Sequence, residues 1–199
     1  MAASSEVDTP HGPARVHLSA VDDPAALVVL GHGANGSVDA PDLIAAREAC
    51  VAAGCAVALV EQPYKVAGRK SPAPAAQLDT AWSAVGASLG SVGVPLIVGG
   101  RSAGARVACR TAADSGAAAV LCLAFPLHPP GRPEKTRVDE LDGVSVPVLI
   151  VQGERDSFGM PPEADGREVV VVPGTHRITS KRAVADAIEP WLRRLELRL

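Results

Sequence analysis

The chain has 199 residues, 47% of them hydrophobic and 21% charged, a composition that excludes a wholly disordered chain and a collagen-like repeat. Its net charge of -3 provides no broad positive field, so nucleic acid is not an expected partner. No stretch reaches the roughly 20 apolar residues that span a bilayer, and the polar start MAASSEVDTPHGPAR has no apolar signal core, so the expectation is a cytoplasmic protein without membrane association.

The length suits one domain over residues 1–199, with residues 1–14 expected to fray. Aromatic residues are only 3% of the chain, so Ala, Val, Leu and Ile must build the core, and small side chains let helices lie close on a sheet. In chain order, residues 15–20 fit an extra edge strand, antiparallel to its neighbour. Residues 26–30 are the first of several short Val-rich runs; the others are 55–60, 94–98, 118–124, 146–151 and 168–172. Apolar on both faces, such runs read as buried parallel strands. Between the first two, Asp39 and Pro41 open a helix that carries Leu43, Ile44 and Val51 and stops at Gly54, with Asp39 as its cap. After Pro74, Leu78, Trp82, Val85 and Leu89 recur at spacings of four, three and four, one apolar helical stripe. A third helix begins near Ala103, and a short one fits residues 134–141. A last helix, capped by Thr179 or Ser180, aligns Val184, Ile188, Trp191 and Leu195, and Pro190 should kink or divide it. Regular alternation of strand and helix implies right-handed crossovers and an α/β fold, an open, mostly parallel sheet with helices on both faces. Cys50, Cys55, Cys109 and Cys122 lie in apolar segments without paired spacing, so they read as buried thiols. No metal or organic cofactor is expected.

Two glycine-rich turns carry chemical information. Gly31-His32-Gly33-Ala34-Asn35-Gly36 follows the first of these strands and matches G-x-G-x-x-G, and Glu61 ends the next strand where a ribose-binding acid would stand. A dinucleotide-binding protein using Gly31, Gly33 and Gly36 is therefore one reading. Against it, Asp39 puts a carboxylate at the helix start, where a pyrophosphate needs bare amides, and His32 intrudes between the first two glycines.

The second turn is Gly100-Arg101-Ser102-Ala103-Gly104, a G-x-S-x-G directly after a strand and before a helical segment. A nucleophile elbow holds its serine in a strained conformation on a sharp strand-to-helix turn, which demands very small residues two positions before and after it. The serine then needs a base and an orienting acid, in the chain order Ser, Asp or Glu, His. One later strand runs into Gln152-Gly153-Glu154-Arg155-Asp156 and the next into Pro173-Gly174-Thr175-His176. Both lie past strand C-termini, the edge where an open parallel sheet gathers its ligand. Ser102, His176 and Asp156 are thus the candidate nucleophile, base and acid, with Glu154 the alternative acid. The amides of Ala34 and Ala103 are the candidate oxyanion donors, and Gly33 would let the backbone approach the substrate closely. Candidate substrate contacts are His32, Tyr64, Arg101, His128 and Phe158. His32 also reads as a hydrogen-bonded brace of its loop, and Arg101, like Arg106, as the partner of Glu61 or another buried carboxylate.

These residues resemble the alpha/beta-hydrolase superfamily over residues 26–191, through HGAN, GRSAG, the G-E-R-D turn and the G-T-H turn in superfamily order. More narrowly, Phe125-Pro126-Leu127-His128-Pro129-Pro130-Gly131 is similar to the pattern of the small dienelactone-hydrolase-like group of predicted hydrolases. The resemblance implies a serine hydrolase with the triad above and names no substrate. The expected activity is cleavage of a small carboxylic ester or thioester through an acyl-enzyme, with that small molecule as the partner and a homodimer left open. The alternative from another class is a non-catalytic interaction module that keeps the fold. Residues 127–145, stiffened by Pro129, Pro130 and Pro133, are too few for a mobile apolar cover. A compact, lidless hydrolase with a shallow pocket rimmed by Tyr64, His128, Phe158 and Met160 is expected.

Overall fold

The computed structural model describes residues 3–90 and 93–195. Among them eight strands form one sheet in the order β1-β2-β4-β3-β5-β6-β7-β8. The strands are β1 (Ala3–Val7), β2 (Ala14–Ser19), β3 (Leu27–Gly31), β4 (Ala56–Glu61), β5 (Leu96–Arg101), β6 (Ala119–Leu123), β7 (Val148–Gly153) and β8 (Arg167–Val172). The helices are α1 (Pro41–Ala52), α2 (Pro63–Val66), α3 (Ala75–Leu89), α4 (Ala103–Thr111), α5 (Val138–Asp142) and α6 (Lys181–Arg194). From β4 across to β8 neighbouring strands run parallel, while β2 meets β4 and β1 meets β2 antiparallel.

Successive strand residues point to opposite faces, and here they feed two separate cores. Val28, Leu30, Leu59 and Leu121 pack with Leu43 of α1 and with Ile188 and Trp191 of α6. Val29, Ala58, Val98 and Val120 pack on the other face with Leu78 and Trp82 of α3 and Val107 of α4. In the inner parallel strands both faces are covered and the runs read as continuous apolar segments, whereas β8, at the edge, carries Glu168 and leaves Val171 exposed.

Several expectations are revised. Residues 3–7 do not fray: they form β1, in register on β2 from Ala3 opposite Leu18 to Val7 opposite Ala14, with Glu6 paired to Arg15 at 3.1 Å. Strand β2 is antiparallel as expected but lies inside the sheet, because β1 takes the edge. Asp39 does not cap α1. The cap is Ala40, with no side-chain bond, and Pro41 at the first position has no amide to satisfy. Helix α2 is too short for a periodic stripe and escaped the sequence reading. The helix expected over 134–141 shrinks to α5, because the Arg137 amide turns back to the Leu127 carbonyl at 2.7 Å and its guanidinium to the Pro126 carbonyl at 2.8 Å. Pro190 leaves α6 undivided; it stands in the last turns, where little helical bonding follows it. Of the two candidate caps of α6 the cap is Ser180, whose hydroxyl accepts from the Ala183 amide at 3.3 Å. All four cysteines are buried and free.

The parallel strands end together on one edge. The loops leaving β3, β5, β7 and β8 there carry residues 32–36, Ser102, residues 154–156 and residues 173–176.

Candidate active site

Strand β5 becomes α4 in a single step at Ser102, whose φ of 52° and ψ of -110° lie in a region strained for any side chain. The conformation is held from both sides: the Ser102 amide donates to the Leu123 carbonyl at 2.9 Å, and the Ser102 carbonyl accepts from the Arg106 amide at 3.2 Å. The helix can come this close because nothing separates it from β3. A Cβ on Gly100 or Gly104 would run into the carbonyl oxygen of Gly31.

His176 Nε2 lies 2.9 Å from Ser102 Oγ, and His176 Nδ1 lies 2.9 Å from Asp156 Oδ2. A proton on Nδ1 satisfies the carboxylate and leaves Nε2 free to accept from the serine hydroxyl. The Asp156 side chain is fully buried, whereas that of His176 is 19% exposed, so the acid sits away from water and the imidazole faces the edge. Glu154, the alternative acid, is exposed and pairs with Arg155. Two further groups fix Asp156: the Phe158 amide donates to Oδ1 and Gln152 Nε2 donates to Oδ2, each at 2.9 Å. Gln152 is wholly buried and also reaches the Phe125 and Gly159 carbonyls. It was not among the candidates; the available signal was a polar residue closing the apolar run of β7. The Phe158 ring lies against the His176 ring, with centroids 4.0 Å apart.

The amides of Ala34 and Ala103 have no hydrogen-bond partner among the described residues, as the first amide of a helix has none within it. The loop that carries Ala34 is braced from below. Tyr64 donates its hydroxyl to the Ala34 carbonyl at 2.7 Å, His32 Nε2 accepts from the Gln62 amide at 3.1 Å, and His32 Nδ1 donates to the Gly33 carbonyl at 2.8 Å. His32 and Tyr64 are therefore buried struts of the loop.

Arg101 is occupied as well. Its Nε donates to Asp42 Oδ2 and its Nη2 to the His176 carbonyl, each at 2.9 Å. Its carboxylate is Asp42 and not Glu61, which pairs with Arg15 and His17; Arg106 pairs with Glu140. His128 and Phe158 also lie at the catalytic edge, linked by the His128 amide on the Phe158 carbonyl at 2.9 Å.

The nucleotide reading loses its support. Helix α1 starts only at Pro41, Glu61 is engaged, and the space beside Gly33 belongs to Arg101, whose Nη1 would lie 2.7 Å from a Cβ there. Gly33 thus makes room for the Arg101 guanidinium. Cavity size does not mark the site either. A hollow of about 490 Å³, lined by residues such as Leu27, Trp82 and Leu96, opens at the N-terminal ends of β3 and β5, the edge opposite Ser102. Among the described residues no cluster of His, Cys, Asp and Glu could hold a metal ion, and no helix is long and apolar enough to cross a membrane.

Burial is the main cause that lowers the pKa of His32 below its ordinary 6.5, with Lys65 adding to it and the Gly33 bond opposing it. The unfolded chain then takes up a proton that the folded chain refuses, so the stability from neutral His32 is complete above about 6.5 and is lost as pH falls toward the lowered value. The thermal midpoint should therefore drop more steeply between pH 7 and pH 5 in the wild type than in His32→Asn, as measured by circular dichroism. Parallel slopes would show that His32 is not held neutral.

Residues 24–179 match the alpha/beta hydrolase domain family. The fold is similar to that of an alpha/beta serine hydrolase without lid from Xanthomonas campestris, with a TM-score of 0.74, 19% identity and coverage of 96% of this chain and 94% of that one. It is similar as well to Est1E from Butyrivibrio proteoclasticus, with a TM-score of 0.76, 17% identity and coverage of 96% and 98%. A dienelactone hydrolase from Anabaena variabilis gives a TM-score of 0.76, 17% identity and coverage of 98% and 97%. No curated protein matches the chain significantly in sequence.

Proposed function

We propose that this chain, which belongs to the alpha/beta-hydrolase domain family, is a serine hydrolase that cleaves a small carboxylic ester or thioester through an acyl-enzyme. The observation that carries the reading is the unbroken path from Asp156 Oδ2 through the His176 ring to Ser102 Oγ, two contacts of 2.9 Å, ending on a serine at φ 52°. A module kept only for its fold has no need of a strained serine aimed at an imidazole.

In this mechanism Ser102 Oγ attacks the carbonyl carbon while its proton passes to His176 Nε2. The tetrahedral oxyanion accepts from the Ala34 and Ala103 amides, whose positions are set by the braced loop and by the start of α4. Collapse breaks the bond to the alkoxide or thiolate, which takes the proton from Nε2 and leaves the acyl group on Ser102. Water, giving a proton to the same nitrogen, then attacks the acyl carbon; the bond to Ser102 Oγ breaks, Oγ takes the proton back from Nε2, and the acid leaves. Asp156 holds the Nδ1 proton throughout and orients the ring.

The connection from β6 to β7 carries only α5, a helix of five residues, so nothing there can enclose a long acyl chain. Each methylene buried in a tunnel is worth about 0.8 kcal/mol, roughly a fourfold gain in kcat/KM per carbon. For p-nitrophenyl esters from acetyl to dodecanoyl, kcat/KM should level off after short chains. A steady climb into the long-chain range, or activation at a lipid interface, would contradict the open pocket.

A further inference from the structure

We propose that Arg101 is a positioning residue that holds the His176 loop at a fixed distance from the oxyanion loop; the inference rests on the serine-hydrolase reading of this site. Arg101 stands at the end of β5, immediately before Ser102, so its backbone is as fixed as the elbow. Its guanidinium divides three ways. Nε donates to Asp42 Oδ2 and Nη2 to the His176 carbonyl, each at 2.9 Å, while Nη1 fills the space where Gly33 lacks a side chain. One planar group, rigid where a lysine would be a single point charge, thereby touches the base loop, the oxyanion loop and the first turn of α1.

The arrangement is anchored on the far side. The Asp42 side chain is 1% exposed, its Oδ1 accepts from the Leu43 amide at 3.0 Å, and Leu43 is in the core. The His176 loop is held at Gly174 by the Arg155 amide at 3.0 Å and at Ile178 by the core, and between them the His176 carbonyl has Arg101 as its partner. The loop is irregular backbone between β8 and α6, Thr175 and Arg177 beside His176 are exposed, and the His176 carbonyl accepts from no other group among the described residues. Catalytic geometry tolerates little drift, because a misplacement of about 1 Å can cost roughly 100-fold in rate.

The competing explanation is that Arg101 only neutralises the buried Asp42. The double variant Arg101→Met/Asp42→Asn removes that need together with the guanidinium, and Arg101→Lys keeps a charge beside Asp42 without the fork. In both, once folding is verified by thermal melts, kcat on a p-nitrophenyl ester should fall roughly 10- to 100-fold with KM changed less than about threefold. A downfield NMR signal of the His176 Nδ1 proton is expected in the wild type, from its bond to Asp156 at 2.9 Å, and should broaden or vanish in the double variant. If either folded variant keeps wild-type kcat, the positioning role is overturned. Ser102→Ala, run alongside, separates the two failures. Should the wild type show no Ser102-dependent turnover, the proposed function fails, and an unchanged Nδ1 signal in the double variant would then overturn the positioning role by itself.

Discussion

Ser102→Ala is expected to bring hydrolysis of a p-nitrophenyl ester down by roughly 10⁴- to 10⁶-fold, to the background given by the oxyanion donors and binding alone. The loss follows from geometry, since among the described residues Ser102 Oγ is the hydroxyl that His176 Nε2 is placed to deprotonate, at 2.9 Å. The fold should survive. An alanine at φ 52° carries the same Cβ as the serine it replaces, and the Leu123 and Arg106 bonds that hold the elbow are made by the backbone. Initial rates on the purified variant, beside its circular dichroism spectrum, check both halves of the expectation.

Asp156→Asn should cost roughly 10⁴-fold in kcat with a smaller effect on KM. In the wild type, Asp156 Oδ2 accepts from both His176 Nδ1 and Gln152 Nε2, and Oδ1 accepts from the Phe158 amide. An asparagine must turn its oxygen to the Phe158 amide, which sets its NH₂ against His176 and Gln152. The ring answers by moving its proton to Nε2, where it can no longer take one from Ser102. Gln152 Nε2 keeps its bonds to the Phe125 and Gly159 carbonyls, so the rest of this network stays in place. The variant should therefore be folded and inactive, and steady-state kinetics with a thermal melt would show it; activity within about tenfold of the wild type would mean that Asp156 does not set the tautomer.

How far the site was legible depends on the range of each interaction. The strand runs and the stripe of Leu78, Trp82, Val85 and Leu89 were legible because burial on a face repeats locally along the chain. Ser102, Asp156 and His176 were legible because the topology alone sends the ends of β5, β7 and β8 to one edge. The partners were not. Arg101 finds Asp42 and Tyr64 finds the Ala34 carbonyl across crossovers, and nothing in the local pattern says which carboxylate or carbonyl a given side chain will meet. The same holds for β1, whose short polar sequence reads as a tail until β2 supplies its ladder. For His32, Tyr64 and Arg101 the sequence leaves two uses open, because polar residues beside such a loop serve either a ligand or the loop, and their loop bonds appear only in the fold.

A fluorophosphonate probe tests most directly whether Ser102 is an activated nucleophile, because the serine oxygen must attack phosphorus and displace fluoride for any adduct to form. The expected result is one adduct by intact mass, mapped to the peptide that contains Ser102, absent in Ser102→Ala and formed far more slowly in Asp156→Asn. A folded wild-type protein that stays unlabelled, or a label that persists in Ser102→Ala, would contradict it.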